Sequence, residues 1–153
     1  MTLSDPAGLD RLAGYLAQAL SADGVTLEAP RKLSGGAIQE NWALAGDVRG
    51  GPHAGCGDWV LRTDAPSSVA VSHSRAQEFQ LLKAAFDMRV TVAEPLLCCE
   101  DEAVLGKPFV LMRRAEGVAV GSRIVRAKAY DGDMEALTRR MGQELARIHR
   151  ITP

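Results

Sequence analysis

Ser34-Gly35-Gly36-Ala37 places a hydroxyl and two glycines between two strand-like segments, Arg31 to Leu33 and Asn41 to Ala45. Glycine reaches backbone angles closed to other residues, so such a turn can aim main-chain N–H groups at a phosphate, with Ser34 as a further donor. Gly-Gly also makes an ordinary hairpin turn. No Gly-Lys-Ser/Thr follows, so this is not a Walker loop. Arg62 closes the apolar run Trp59-Val60-Leu61. Turned inward, its fixed charge would meet phosphates; turned outward, it would reach water. Arginine offers a planar fork of donors where lysine offers a point charge. Glu78 has Leu81 and Leu82 at i+3 and i+4, which puts it at the edge of an apolar helix face. Its carboxylate is placed either to hold the Arg62 guanidinium or to make a local pair with Arg75.

A fourth segment adds a candidate base-binding edge. Phe109-Val110-Leu111-Met112 is apolar and runs into Arg113-Arg114-Ala115-Glu116-Gly117. A strand that passes into a polar, glycine-ended stretch forms a hinge, and backbone groups around Met112, Arg113 and Arg114 would face an adenine edge. The alternative is a buried strand leaving the core.

The elements that must position these groups follow from pattern. Ser4 and Asp5 are N-caps and Pro6 suits a first turn. Leu9, Leu12, Leu16 and Leu20 then recur at helical spacing, giving a helix over 4–22 closed by Gly24. Val25 to Glu28 and Arg31 to Leu33 read as strands. Gly46 to Gly57, with five glycines and a proline, reads as a flexible hairpin loop. Asp58 to Thr63 is the next strand, and Asp64 to Ser72 a polar connection. Ser74 to Phe86 is helical. Leu96 to Glu100 and Phe109 to Arg113 are strands joined by a hairpin connection over Asp101 to Lys107. Gly117 and Gly121 bracket a short extended segment. Met134, Leu137, Met141, Leu145 and Ile148 mark the strongest helix, with Asp131-Gly132-Asp133 as its cap. Gly142 inside it points to close packing against a neighbour, since a mid-helix glycine costs about 1 kcal/mol against alanine. That helix should expose its apolar stripe and favour self-association.

Bulk properties narrow the function. The 153 residues form one domain's worth of chain with a formal net charge of -1, which gives no field to gather nucleic acid or acidic lipid. No apolar stretch is long enough for a membrane span, and the first residues lack the basic-then-apolar layout expected of a signal peptide. Cys56 stands apart from Cys98-Cys99, which is neither a disulfide framework nor a zinc set. A reduced, cytoplasmic setting follows. His149, at a helix end beside Ile148, reads as structural.

A glycine turn, a strand ending in a cation and a helix carrying an acid follow one another as in the nucleotide-binding lobe of kinase-type folds. The chain resembles the N-terminal lobe of the aminoglycoside phosphotransferase (choline kinase-like) family, in the branch of the phosphotransferase domains attached to some acyl-CoA dehydrogenases. The resemblance rests on Leu33-Ser34-Gly35-Gly36-Ala37, Val60-Leu61-Arg62, Glu78-Phe79-Gln80-Leu81-Leu82 and Val92-Ala93-Glu94-Pro95. It continues through Cys99-Glu100-Asp101, Leu105-Gly106-Lys107-Pro108-Phe109-Val110-Leu111-Met112, Glu116-Gly117 and Leu145-Ala146-Arg147-Ile148-His149. It implies an α+β fold: a protein-kinase-like N-lobe with a mostly antiparallel sheet of about five strands, a packed helix, and flanking N- and C-terminal helices. The lobe would span 1–117, and 118–153 would be a hinge and the first helix of a second lobe.

The activity implied is transfer of the ATP γ-phosphoryl group to a small-molecule hydroxyl with Mg2+. Ser34, Gly35, Gly36 and Ala37 would cover the phosphates and Arg62 would hold them. Glu78 would orient Arg62, and Met112, Arg113 and Arg114 would line the adenine site. The family's catalytic aspartate, in a His-Gly-Asp type loop, and its metal ligands are expected after His149, so the chain alone should bind nucleotide without turnover. The rival reading is a non-catalytic nucleotide-binding module, partner subunit or remnant.

Overall fold

The computed structural model describes residues 3, 5–33, 39–65, 73–117, 120–126 and 133–152. Asp5 caps α1 (Pro6–Ala19), its side chain accepting from the Ala7 N–H at 3.2 Å. Leu12 and Leu16 are fully buried. The helix stops at Ala19, short of the expected 22. Ser21 turns the chain at φ 52°, and Gly24 opens a strand instead of closing the helix.

That strand, β1 (Gly24–Leu27), and β2 (Arg31–Leu33) both pair antiparallel with β3 (Gln39–Arg49). β3 pairs in turn with β4 (Gly55–Asp64). The expected flexible loop over 46–57 is mostly strand, with Gly46 opposite Gly57 and Val48 opposite Gly55. Two of its glycines serve close approach: a Cβ on Gly57 would lie 1.8 Å from the Trp59 ring, and one on Gly46 2.1 Å from the Thr26 carbonyl oxygen.

Ser74 caps α2 (Arg75–Asp87) in a reciprocal box with Gln77. β5 (Pro95–Cys99) follows, then α3 (Glu102–Leu105), a one-turn helix where the sequence pattern gives only a connection. Asp101 caps it and Gly106 ends it at φ 79°. β6 (Phe109–Arg113) has the expected limits. The sheet runs β1-β3-β4-β6-β5 with β2 on β3, six strands where about five were expected, and every pairing is antiparallel.

Side-chain alternation divides this sheet into two faces. Leu44, Trp59, Leu61, Phe109 and Leu111 form the core with Leu12, Leu16 and Leu20 of α1. Tyr15 meets the Phe109 ring edge-on at 5.8 Å. Burial pushes the Tyr15 hydroxyl up to about 12, with its bond to Cys99 adding to the effect. Cys99 faces the core and Cys98 the opposite side, as alternation requires. On that opposite face α2 packs against β5 and β6.

Gly121 opens a short helix, α4 (Gly121–Arg126), so the extended segment expected between Gly117 and Gly121 does not continue past it; residues 118–119 lie outside the described residues. Asp133 caps α5 (Met134–Ile148), accepting from the Ala136 N–H at 2.8 Å. Asp131 and Gly132 are outside the described residues. A Cβ on Gly142 would meet nothing within 4 Å, so the close neighbour expected there is absent among the described residues. Glu144 ties α5 to the turn before β5, accepting from Thr91 N at 2.9 Å and Thr91 Oγ1 at 2.8 Å.

Candidate functional site

One row of residues crosses the sheet on the face opposite α1. Leu33 of β2 lies opposite Asn41 of β3, Asn41 opposite Arg62 of β4, Arg62 opposite Val110 of β6, and Val110 opposite Cys98 of β5. At about 4.8 Å per strand step, the backbone entering the glycine turn at Leu33 stands about 10 Å from that of Arg62. Ser34, Gly35, Gly36 and Ala37 themselves lie outside the described residues. Their two anchors, Leu33 and Gln39, are strand residues of the same sheet.

Arg62 turns inward. Its Nε donates to Asn41 Oδ1 at 3.0 Å and its Nη1 to Glu78 Oε1. Among the described residues its Nη2 has no partner, and the side chain keeps 28% of its exposure. The Arg62–Glu78 pair and the Glu78–Arg75 pair, which sequence reading sets as alternatives, are both present: Arg75 Nη1 donates to Glu78 Oε2. Each oxygen of Glu78 thus takes one arginine. Arg75 Nε lies 3.1 Å from Asp64 Oδ1 off the hydrogen-bond line. Charges alternate through Arg62, Glu78, Arg75 and Asp64, so the cluster is balanced, and among the described residues one arm of Arg62 has no partner.

A second row lies two residues along the same face. Ala43, Val60, Met112 and Pro95 face one another across four strands. A two-residue step along an antiparallel strand is about 7 Å. The result is an apolar row beside the row that holds Arg62.

At the expected hinge two main-chain donors are already bonded within the protein. Arg113 N–H is bonded to the Glu94 carbonyl at 2.9 Å and Arg114 N–H to the Asp58 carbonyl at 3.0 Å. Their side chains pair with the same two acids, at 2.7 Å to Glu94 and 3.3 Å to Asp58. Met112 is buried in the second row. Among the described residues, the first N–H groups past β6 without a bonded partner are those of Ala115 and Glu116.

A third network ties together the strands on either side of residues 34–38. Glu40 accepts from Lys32 Nζ at 2.7 Å and Lys107 Nζ at 3.1 Å, and Lys107 also donates to the Asp64 carbonyl at 2.7 Å. The Lys32 bond, ahead of Lys107, holds the Glu40 carboxyl below the ordinary range despite partial desolvation. Sequence reading missed Asn41, Asp64, Glu40 and Lys107, and gave Arg75 only a local role. The signals were present but indirect. Arg75 precedes Glu78 by one helical turn, and Asn41 becomes the neighbour of Arg62 once the β3–β4 register is known.

Among the described residues no group of three or more His, Cys, Asp or Glu side chains gathers to hold a metal ion. No described helix is long and apolar enough to cross a membrane.

Comparison with known proteins agrees with the geometry. The model of the phosphotransferase enzyme family matches residues 30–153. Acyl-CoA dehydrogenase family member 11 of Pongo abelii is 31% identical over 98 residues, 61% of this chain and 12% of that protein. Family member 10 of Mus musculus is 32% identical over 97 residues, 60% of this chain and 9% of that protein. The crystal structure of a proposed aminoglycoside phosphotransferase from Ralstonia eutropha JMP134 superposes with a TM-score of 0.52 at 20% identity, covering 76% of this chain and 29% of its own. The fold is therefore kinase-like, and the chain spans about a tenth of the length of these curated relatives.

Proposed function

The chain belongs to the phosphotransferase enzyme family, and from that premise we propose that it carries the nucleotide-binding part of an ATP-dependent small-molecule kinase. The observation that carries this reading is Arg62: a partly exposed guanidinium gripped by Asn41 and Glu78 with Nη2 left over. A fixed cation with an open donor, in the same cross-sheet row as Leu33 and two strands from it, suits a polyphosphate. Arg62 takes a phosphate oxygen through Nη2, and main-chain N–H groups of Ser34, Gly35, Gly36 and Ala37 cover the others. The base lies against Ala43, Val60 and Met112, with its edge toward the Ala115 and Glu116 N–H groups rather than those of Arg113 and Arg114.

The reaction is transfer of the γ-phosphoryl group to a hydroxyl, with the bond to the β–γ bridging oxygen breaking and ADP leaving. Its Mg2+ ligands and the aspartate that orients the acceptor are assigned to a further lobe, because this chain spans only 29% of its structural neighbour. Within this chain, then, the work is binding and orientation, over residues 1–117 as the lobe and 118–153 as hinge and following helix.

Calorimetric titration with ATP tests the reading. The 153-residue chain should bind ATP, and Arg62→Gln should weaken binding roughly 10- to 100-fold, the worth of about 1.5–3 kcal/mol for a charge-assisted bond. Wild-type protein that binds no ATP overturns it. Phosphorylation of an alcohol by this chain alone overturns the assignment of the catalytic groups elsewhere. Tight ATP binding that survives Arg62→Gln moves the phosphate site away from β4.

A further inference from the structure

Among the described residues Arg75 is the one charged side chain that is buried, at 3% exposure. A guanidinium withdrawn from water must be paired to be tolerated, and the partners of Arg75 are informative. Besides Glu78 and Asp64, the Gln39 amide, turned to present its oxygen, accepts from Arg75 Nη2 at 3.1 Å and Nη1 at 3.2 Å. These partners lie on the helix that carries Glu78, at the end of the strand that carries Arg62, and where the chain rejoins the sheet after the glycine turn. One buried fork thus joins α2, β4 and β3, the three elements that carry Glu78, Arg62 and Asn41.

We infer that Arg75 is a positioning residue for Arg62: by taking one oxygen of Glu78, it makes Glu78 grip Arg62 through the other oxygen alone and leaves the outer arm of Arg62 for a phosphate. A carboxylate with both oxygens free prefers a two-bond, fork-to-fork grip on arginine. Without Arg75, Glu78 closes in that way on Arg62. Asp64 shares the strand face of Arg62 two residues on, so it too loses its partner and turns toward the same cation. The local balance then shifts from neutral to one net negative charge, which repels a polyphosphate.

This inference rests on the nucleotide reading above, and its test separates the two. ATP and adenosine affinities would be measured for wild type, Arg75→Gln, Arg75→Lys, Arg62→Gln and the Arg62→Gln/Arg75→Gln double variant, with a thermal melt of each. Arg75→Gln should weaken ATP about tenfold or more and leave adenosine within about twofold. The double variant should bind ATP no more than about threefold more weakly than Arg62→Gln alone, because the two residues act through one contact. Arg75→Lys keeps the charge but cannot bridge Glu78, Asp64 and Gln39, so it too should stay weakened. Should Arg75→Gln fail to fold, Arg75→Lys carries the same comparison.

Equal losses for ATP and adenosine, fully additive losses in the double variant, or wild-type ATP affinity in Arg75→Lys overturn the inference. Wild-type binding with no effect of Arg75→Gln removes this inference and leaves the nucleotide reading standing. No ATP binding by wild type removes both.

Discussion

Glu40 holds two lysines from two directions, and its charge state sets how firmly β2 and Lys107 are tied to β3. The carboxyl is depressed in the folded chain, foremost by the Lys32 hydrogen bond. A group depressed on folding contributes stability that is present above its unfolded value, near 4.5, and is lost as pH falls through the lower folded value. Glu40→Gln should therefore destabilise at neutral pH by about 1 kcal/mol, a modest figure because Lys32 is more than half exposed. The gap to wild type should close in acid, below the folded value. Urea titrations at neutral pH and in acid check this, and a gap that is constant with pH would assign the effect to packing. Gly57 makes a sharper case. Its missing Cβ is where the Trp59 ring lies, 1.8 Å from the ideal position. Gly57→Ala forces a core indole out of place, and a loss of about 2 kcal/mol or more is expected in the same titration. A melting temperature equal to wild type would mean that the ring moves freely.

The helices and strands show which signals a linear pattern carries. α5 was legible because its apolar spacing runs through four turns, yet its glycine misled. Gly142 has open space around its Cβ position and ordinary backbone angles. Gly142→Ala should thus raise stability by about 0.5–1 kcal/mol, the ordinary helix-propensity gain. A destabilised variant would reveal a contact with a residue outside the described set. β4 was legible because Gly57, Trp59, Leu61 and Thr63 alternate inward, though its start was not. Glycines at 46, 55 and 57 look like a loop in a list of residue types and become strand only when the facing ring and carbonyl are known. α3 is four residues long, too short for any period to declare it. At the site, Arg62 and Glu78 were legible from order and spacing, because a charge that ends an apolar strand and an acid at the rim of an apolar helix are local facts. Arg75 was not, because its burial is created by Gln39, Asp64 and Glu78, which are 36 and 11 residues before it and 3 after it. That the Arg113 N–H is already bonded was hidden for a related reason: it depends on Glu94, which directly precedes β5, the strand beside β6.

At the scale of the molecule, charge and apolar surface are divided unevenly. Up to Met112 the sequence has nine Lys and Arg against fourteen Asp and Glu; after it there are nine against five. An acidic lobe repels a polyphosphate in general, which makes one guanidinium with an open arm more decisive than it would be on a basic surface. The basic portion includes α5, whose Met134, Met141, Leu145 and Ile148 are each about half exposed or more, from 47% to 64%. Its described side-chain tie to the sheet domain is the Glu144–Thr91 pair, at the flank of that stripe. Those two hydrogen bonds hold the Glu144 carboxyl below its ordinary range. A contiguous apolar stripe on a docked helix favours contact with a second copy. Sedimentation over a range of concentrations should show reversible association of the 153-residue chain, together with binding of a hydrophobic dye. Met141→Glu with Leu145→Glu should abolish both and leave the melting temperature within about 2 °C, since neither side chain is in the core. Salt separates the two forces available. Attraction between an acidic body and a basic helix of another copy fades at about 0.5 M salt, whereas apolar contact persists or strengthens. Association that vanishes with salt would assign it to charge, and a monomer at every concentration without dye binding would show that the stripe does not pair α5 with its copy.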